Sequence, residues 1–171
     1  MKLISDRMEK ALTGLYGLCF VGNSVCDNMV TQLDVKFVMP RTSNIVHYSM
    51  AHEFPALADK LGEYAAARDS YLQRPVVPAQ LKDYDALTPM FDELLDYMVS
   101  LENEVGKVMD LAESEDDKQT LKMLDSFIRD LVPLTKIALN FVDYVEQNGD
   151  TPSQRMQIDS NINKFMGIKN V

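Results

Sequence analysis

Apolar side chains recur every three or four residues along four long segments, and no other feature of the sequence constrains the fold as much. The segments cover approximately residues 6–38, 42–73, 88–111 and 114–147. Such spacing places one apolar stripe along a helix, whereas a strand requires strict alternation. The sequence therefore predicts an all-α protein in which four long amphipathic helices pack as a bundle.

Capping residues indicate where the later helices begin and end. Thr88 is predicted to cap the third helix, and SEDD at 114–117 is typical of a capping box that opens the fourth. The Asn-Gly pair at 148–149 should end the fourth helix. The Thr-Pro pair at 151–152 then opens a short C-terminal helix, which we expect to reach about Phe165.

Two positions leave the course of the earlier helices open. SVCD at 24–27 could act as a capping box, so the first helix could be broken near residue 23. Pro55 lies inside the second helix, where it should either kink the helix or begin a new first turn.

The second and third helices are separated by RPVVPAQLKDYDALT, which lacks helical periodicity. A hairpin between neighbouring helices needs only about two to eight residues. About fifteen extended residues reach roughly 50 Å, and a helix of about 27 residues is about 40 Å long. The stretch is therefore long enough to run the whole length of the bundle, although a decorated hairpin loop could be equally long. One long crossover between helices two and three is the ferritin-like topology.

Composition and charge restrict the class of protein. With 171 residues, 46% of them hydrophobic, the chain suits a single domain covering residues 1–171. A formal charge of −9 makes nucleic acid an unsuitable partner, because phosphates need a basic face. No apolar run is long enough for a membrane span, and Asp6 and Glu9 argue against a signal peptide. We therefore expect a soluble, cytoplasmic protein.

Cys19 and Cys26 are seven positions apart. On one helix their Cα atoms would be about 10 Å apart, which exceeds the disulfide reach of roughly 7 Å. They are predicted to be small core residues.

Three stretches give the chain a family resemblance. They are AHEF at the head of a long helix, the connector VVPAQLKDY, and LLDYMVSLENEVGKVMDLAESEDDKQTLKMLDSFIRDL with its helix, acidic turn and helix. Over roughly residues 20 to 147 the chain resembles a ferritin-like protein of the Dps, or mini-ferritin, type. The resemblance implies a homo-oligomeric shell that oxidises ferrous iron, often with peroxide, at sites shared between two subunits.

Members of that family bind iron with histidines from the first helix and the start of the second, together with an Asp-x-x-x-Glu pair. Here His52 is the best counterpart of the second-helix histidine, and His47 matches less well. Asp59 and Glu63 have the spacing of the acidic pair but lie earlier relative to VVPAQLKDY. The first helix has no histidine, and the segment nearest the family's acidic position reads YAAARD.

A helical wheel of the second helix, drawn at 100° per residue, tests these candidates. His52, Asp59 and Glu63 fall on the outward side, so they could bind metal only if another subunit completed the site. The alternative is an ordinary solvated face. His47 falls about 60° from the buried direction, where a hydrogen-bonded, half-buried histidine is the alternative to a ligand.

Glu102 is the unusual residue of the third helix, because it lies within the apolar stripe. A carboxylate there would lose hydration unless it were paired, protonated or metal-bound. It is therefore a candidate internal ligand, and the alternative is that it reaches the bundle edge or pairs with Lys122 or Arg68. An internal di-iron site needs about four carboxylates and two histidines, and the sequence does not supply that set.

Two hypotheses follow. The first is a Dps-like oligomer whose shared site uses His52, Asp59 and Glu63 to bind and oxidise ferrous iron, with iron as the metal and an oxidoreductase activity. The second is a helical interaction protein that keeps the ferritin-like fold without a metal centre. The missing first-helix histidine and the YAAARD segment favour the second.

Overall fold

The structure is a computed structural model that describes residues 1–167. Its elements are α1 (Asp6–Val35), α2 (Pro40–Val46), a π-helical turn (His47–Ala51), α3 (Glu53–Ala67), α4 (Leu87–Ser114), α5 (Lys118–Asn148) and α6 (Pro152–Phe165). All regular structure within the described range is helical, so the predicted class is confirmed. None of these helices is both long and apolar enough to cross a membrane.

The segment between α3 and α4, residues 68–86, runs along the length of α1. At its start the Arg68 carbonyl accepts a hydrogen bond from Leu3 N at 2.9 Å, beside the beginning of α1. At its end Tyr84 N donates to Gln32 Oε1 at 2.9 Å, beside the end of α1. Helices α3 and α4 therefore point the same way, and the predicted crossover is confirmed.

Further contacts hold this crossover against α1. Pro75 Cγ lies 3.0 Å from the place that a Cβ of Gly17 would occupy, so the chain passes close to the helix backbone. Asn28 Nδ2 and Gln32 Nε2 each donate to the Lys82 carbonyl at 2.9 Å. Amide side chains of α1 thus provide hydrogen bonds for a segment that has no regular structure of its own.

Helix α1 runs without a break, so the alternative of an interruption near residue 23 is wrong. Ser5 caps its start by accepting a hydrogen bond from Met8 N at 3.0 Å. Gly22 and Cys26 lie on its buried face. Packing of that face against other helices outweighs the local preference of SVCD for a helix start.

Helix α4 begins two residues earlier than it would if Thr88 were its cap. Its N-cap residue is Ala86, which offers no side-chain acceptor. Asp150 supplies the acceptor instead, since its Oδ2 receives Leu87 N at 2.7 Å. Arg155 Nε holds the same carboxylate at 2.5 Å. A tertiary contact has replaced the local cap that the sequence predicted.

The other predicted helix ends are largely confirmed. Helix α5 is capped by Asp117, which accepts from Thr120 N at 3.0 Å, and not by Ser114, because α4 continues through that residue. Gly149, with φ of 81°, ends α5 as predicted. Thr151 caps α6, which ends at Phe165.

Pro55 lies in the first turn of α3, which is one of its two predicted outcomes. Proline has no N–H and cannot donate to the Ala51 carbonyl four residues earlier. That carbonyl accepts instead from Asn23 Nδ2 of α1 at 3.0 Å. Just before it, His52 N donates to the His47 carbonyl at 3.1 Å, which is the five-residue step of a π-helical turn. The wider turn changes the angular register along residues 40–67.

Phe54 fills the bundle near the midpoint of α1. Its side chain is completely buried, and its ring lies 2.5 Å from the place that a Cβ of Gly22 would occupy. A residue without a side chain is therefore required at position 22. Between α4 and α5 the buried rings of Phe91 and Phe141 stack with centroids 4.6 Å apart.

Helix α6 packs at the end of the bundle where α2 begins. The carboxylate of Asp159, which is 8% exposed, accepts from Thr42 N at 2.7 Å and from Thr42 Oγ1 at 2.8 Å. It also accepts from Arg41 N at 3.3 Å. The N-cap position of α2, Met39, has no acceptor. Asp159 therefore satisfies the free N–H groups at the start of α2.

Gly22→Ala and Gly14→Ala are matched substitutions with opposite expected outcomes. A Cβ at position 22 meets the buried ring of Phe54, so we expect the free energy of unfolding to fall by about 1–3 kcal/mol. A Cβ at position 14 meets no atom within 4 Å, so alanine should raise it by roughly 0.5–1 kcal/mol through helix propensity. Denaturant unfolding measures both. Gly22→Ala should cease to be destabilising in a Phe54→Ala background, and equal losses in both backgrounds would contradict this packing.

Asn23→Ala should destabilise the protein because it leaves the Ala51 carbonyl without a donor. We expect a loss of about 1–2 kcal/mol in the free energy of unfolding. In a Pro55→Ala background residue 55 regains an N–H that can reach this carbonyl, so the same substitution should cost clearly less. A double-mutant cycle measures the difference. Identical losses in both backgrounds would show that Asn23 does not substitute for the missing N–H.

Candidate functional site

The bundle interior does not carry a set of metal ligands within residues 1–167. No three His, Cys, Asp or Glu side chains in this range are arranged to hold a metal ion. The inward faces of α1, α3, α4 and α5 are apolar, and Phe54 packs among them. An internal di-iron site needs about four carboxylates and two histidines. The residues present do not fit such a site.

Glu102 lies at the contact between α4 and α5, where it is half-buried. Its Oε1 accepts a hydrogen bond from Thr135 Oγ1 of α5. Of its two predicted placements, the structure shows the one at the bundle edge, with Thr135 as the partner and not Lys122 or Arg68. Glu102 lies at the edge of the apolar stripe, next to the buried Leu101, and the Thr135 hydroxyl provides a hydrogen bond for its carboxylate.

His47 and His52 lie side by side on the surface. Their ring centroids are 4.4 Å apart, with the planes inclined at 61°. On a regular α-helix, five positions leave two side chains about 140° apart, and the helical wheel separated them accordingly. That placement is wrong, because the π-helical turn between them adds a residue to one turn of the helix. The structure brings together two imidazoles that the wheel had assigned to different sides.

Two further residues complete this group, which we call the histidine cluster: Asp27, His47, Tyr48 and His52. Asp27 Oδ1 lies 3.9 Å from His47 Nδ1, which is buried and has no hydrogen-bond partner among the described residues. The Tyr48 ring packs edge-on against both imidazoles, at 4.6 and 5.3 Å between centroids. Sequence reasoning missed Asp27 and Tyr48. Pro55, which accompanies the turn, was the signal that could have found them.

Asp59 and Glu63 lie one turn apart on the exposed face of α3, and His52 is exposed above them. His52 precedes Asp59 by seven residues, which is roughly 10 Å along a helix axis. Bonds from such ligands to a metal are about 2 Å long. One ion therefore cannot contact both His52 and Asp59 of the same chain. The outward orientation of all three is as predicted, but a single chain does not bring them together.

Cys19 and Cys26 are buried free thiols, as predicted. Burial raises the pKa of the Cys19 thiol to about 12. The pKa of Cys26 is also raised, chiefly by burial. Thiols that remain protonated at neutral pH are poor nucleophiles and poor metal ligands. Both therefore serve the packing of α1.

Comparisons with known proteins agree with this architecture. Residues 46–145 match the family of ferritin-like domains. No curated protein matches the chain in sequence. The fold is similar to the open-pore ferritin of the hyperthermophilic archaeon Archaeoglobus fulgidus, with a TM-score of 0.87 and 18% identity, covering 99% of this chain and 100% of that one.

Two related structures are similar to the same degree. An engineered closed form of the Archaeoglobus fulgidus ferritin gives a TM-score of 0.85 at 17% identity, with 98% of each chain covered. A humanized archaeal ferritin gives 0.86 at 16% identity, again over 98% of each chain. At these identities the likeness establishes the fold, and the Dps type stays a prediction. The family match spans more than half of the sequence, and the chain therefore belongs to the ferritin-like domain family.

Proposed function

We propose that this chain is a ferritin-like subunit that assembles with copies of itself and oxidises ferrous iron at a site shared between two subunits. The observation that carries the proposal is the exposed stripe of His52, Asp59 and Glu63 on the outer face of α3. The bundle interior, in contrast, is apolar. Iron is the substrate, and the three side chains act as its ligands.

The spacing within this stripe divides it into two half-sites. Asp59 and Glu63 share one face and can bind one ion together through their oxygens. In a two-fold dimer whose α3 helices run antiparallel, the carboxylate pair of one subunit would meet His52 of the partner subunit. Each such dimer would contain two equivalent sites, and each site would combine nitrogen and oxygen ligands, which suit iron.

Two properties of the surface favour this contact. Ala56 is exposed on the same stripe, between His52 and Asp59, and its small side chain lets a second helix approach. The net charge of −9 attracts ferrous ions to the protein. A cation bound between the two copies would also offset the repulsion between their carboxylates.

The chemistry at this site is a one-electron oxidation of each ferrous ion. Peroxide or dioxygen is the oxidant and accepts the electrons. The carboxylates of Asp59 and Glu63 stabilise the additional positive charge of the ferric product. The site residues hold the ion and are not themselves oxidised.

A second candidate function is that of a helical interaction protein without a metal centre. The packed interior favours it, because Phe54 and Gly22 occupy the middle of the bundle with apolar groups. The first helix also carries no histidine. Such a protein would assemble through the same surfaces without oxidising iron.

The double substitution His52→Ala and Asp59→Ala separates the two candidates. Wild-type protein titrated with ferrous iron under air is expected to bind it saturably and to accelerate its oxidation. The double variant should fall to the rate seen without protein, because it lacks a ligand on each side of the shared site. Ferric absorbance and elemental analysis measure the two properties.

A matched control carries Asp34→Ala and Asp110→Ala, which remove two exposed acids, one on α1 and one on α4. This variant should keep the wild-type rate, because only general surface charge is lost. If wild-type protein neither binds iron saturably nor accelerates its oxidation, the second candidate is correct.

The mass in solution tests the assembly on which the shared site depends. One chain has a mass of 19.4 kDa, so light scattering should report a multiple of that value. A monomer at micromolar concentration would rule out the shared site. An assembled protein that does not oxidise iron would support the interaction protein.

A further inference from the structure

We infer that His47 and His52 of one subunit form a chelating pair for a divalent late transition-metal ion such as Cu²⁺, Ni²⁺ or Zn²⁺, with Asp27 orienting His47. This site needs no second subunit. It therefore does not rest on the shared iron site, although His52 contributes to both. It uses only two protein ligands, and water completes the coordination.

The distance between the two imidazoles suits a common ion. With metal–nitrogen bonds of about 2.1 Å, two imidazoles at right angles on one ion have ring centres roughly 4.5–5 Å apart. The ring centroids of His47 and His52 are 4.4 Å apart. The observed separation is therefore close to the one that a shared ion requires.

The backbone holds this arrangement in place before any ion arrives. The His52 N–H bonded to the His47 carbonyl stacks residues five apart as an α-helix stacks residues four apart. Asn23 holds the following turn through the Ala51 carbonyl. The pair is thus a product of a π-helical turn, a feature that is frequent at functional sites.

Asp27 decides which nitrogen of His47 is the ligand. His47 Nδ1 is buried, has no hydrogen-bond partner within residues 1–167, and lies 3.9 Å from Asp27 Oδ1. The His47 side chain is 34% exposed, so the Nε2 edge is the part that can reach an ion. Histidines that bind metals usually donate their other N–H to a carboxylate, which fixes the ring and makes it more basic. A slight approach of Asp27 gives His47 this arrangement.

The donor set decides which metal the pair takes. Two imidazole nitrogens without a carboxylate in direct contact favour copper, nickel and zinc, with Cu²⁺ bound most tightly and Fe²⁺ more weakly. The shared site on α3 instead combines one imidazole with two carboxylates, a harder donor set that suits iron better than two imidazoles alone. The Tyr48 ring against both imidazoles limits their rotation and covers one side of the pair.

Copper titration of the full chain tests the inference. One equivalent of Cu²⁺ should give an electron paramagnetic resonance spectrum with coupling to two nitrogens. His47→Gln and His52→Gln should each remove one nitrogen from the spectrum and weaken binding by about tenfold or more. Asp27→Asn should keep both nitrogens but weaken binding by about tenfold, whereas the exposed Asp34→Asn should change neither property.

Several outcomes would overturn the inference that His47 and His52 chelate a metal ion. An unchanged spectrum and affinity in His47→Gln would place the copper elsewhere, and full affinity in Asp27→Asn would remove the orienting role. Circular dichroism of each variant shows that the helices are retained. Histidine-dependent copper binding without iron oxidation would support the pair while removing the shared iron site. Iron oxidation without histidine-dependent copper binding would leave the shared site and remove the pair.

Discussion

The path of the crossover along α1 is the constraint on which the rest of this structure depends. Because residues 68–86 return the chain to the end of the bundle where α2 begins, α3 and α4 point the same way. The crossover takes its hydrogen bonds from Asn28 and Gln32 of α1, so its position is fixed by the helix it follows. The outer face of α3, with its acids and histidine, remains exposed as a result.

The interior of the bundle is apolar, whereas the side chains that could bind a metal ion lie on its surface. Inside, the Phe54 ring packs against Gly22, and residues 1–167 place no group of three metal-ligating side chains together. Outside, the polar residues of the second long helix stand in two groups about two turns apart. The side chains proposed to bind metal ions therefore lie on the exposed side of the bundle. Any such activity then depends on residues that the four-helix core does not itself require.

The sequence predicted the parts of this fold that local patterns determine. Its predictions were wrong where a residue far along the chain determines how a helix begins. Periodicity predicted the helices, the length of one stretch predicted the crossover, and Gly149 predicted the end of α5. The prediction that Thr88 caps α4 was wrong because Asp150, far along the chain, accepts the hydrogen bond at the start of that helix. A local pattern cannot reveal a partner of that kind.

The geometry of the candidate residues was predicted only in part, for a similar reason. Exposure of His52, Asp59 and Glu63 followed from a simple wheel. The pairing of His47 with His52 did not, because the wheel assumes a constant angle per residue. A proline without an N–H and an asparagine on another helix accompany a change of that angle over one turn. For Glu102 the sequence left two placements open, because the side chain of a residue at the border of an apolar stripe can point inward or toward the bundle edge.

The cap on α2 has a consequence for how the protein is made. Asp159 lies 117 residues after Thr42, whose backbone it holds. During synthesis the first turn of α2 therefore keeps free amides until the 117 residues that separate Thr42 from Asp159 have been made. Helix α6 thus supplies this cap late, and a nascent chain that has not yet reached Asp159 would leave the start of α2 uncapped.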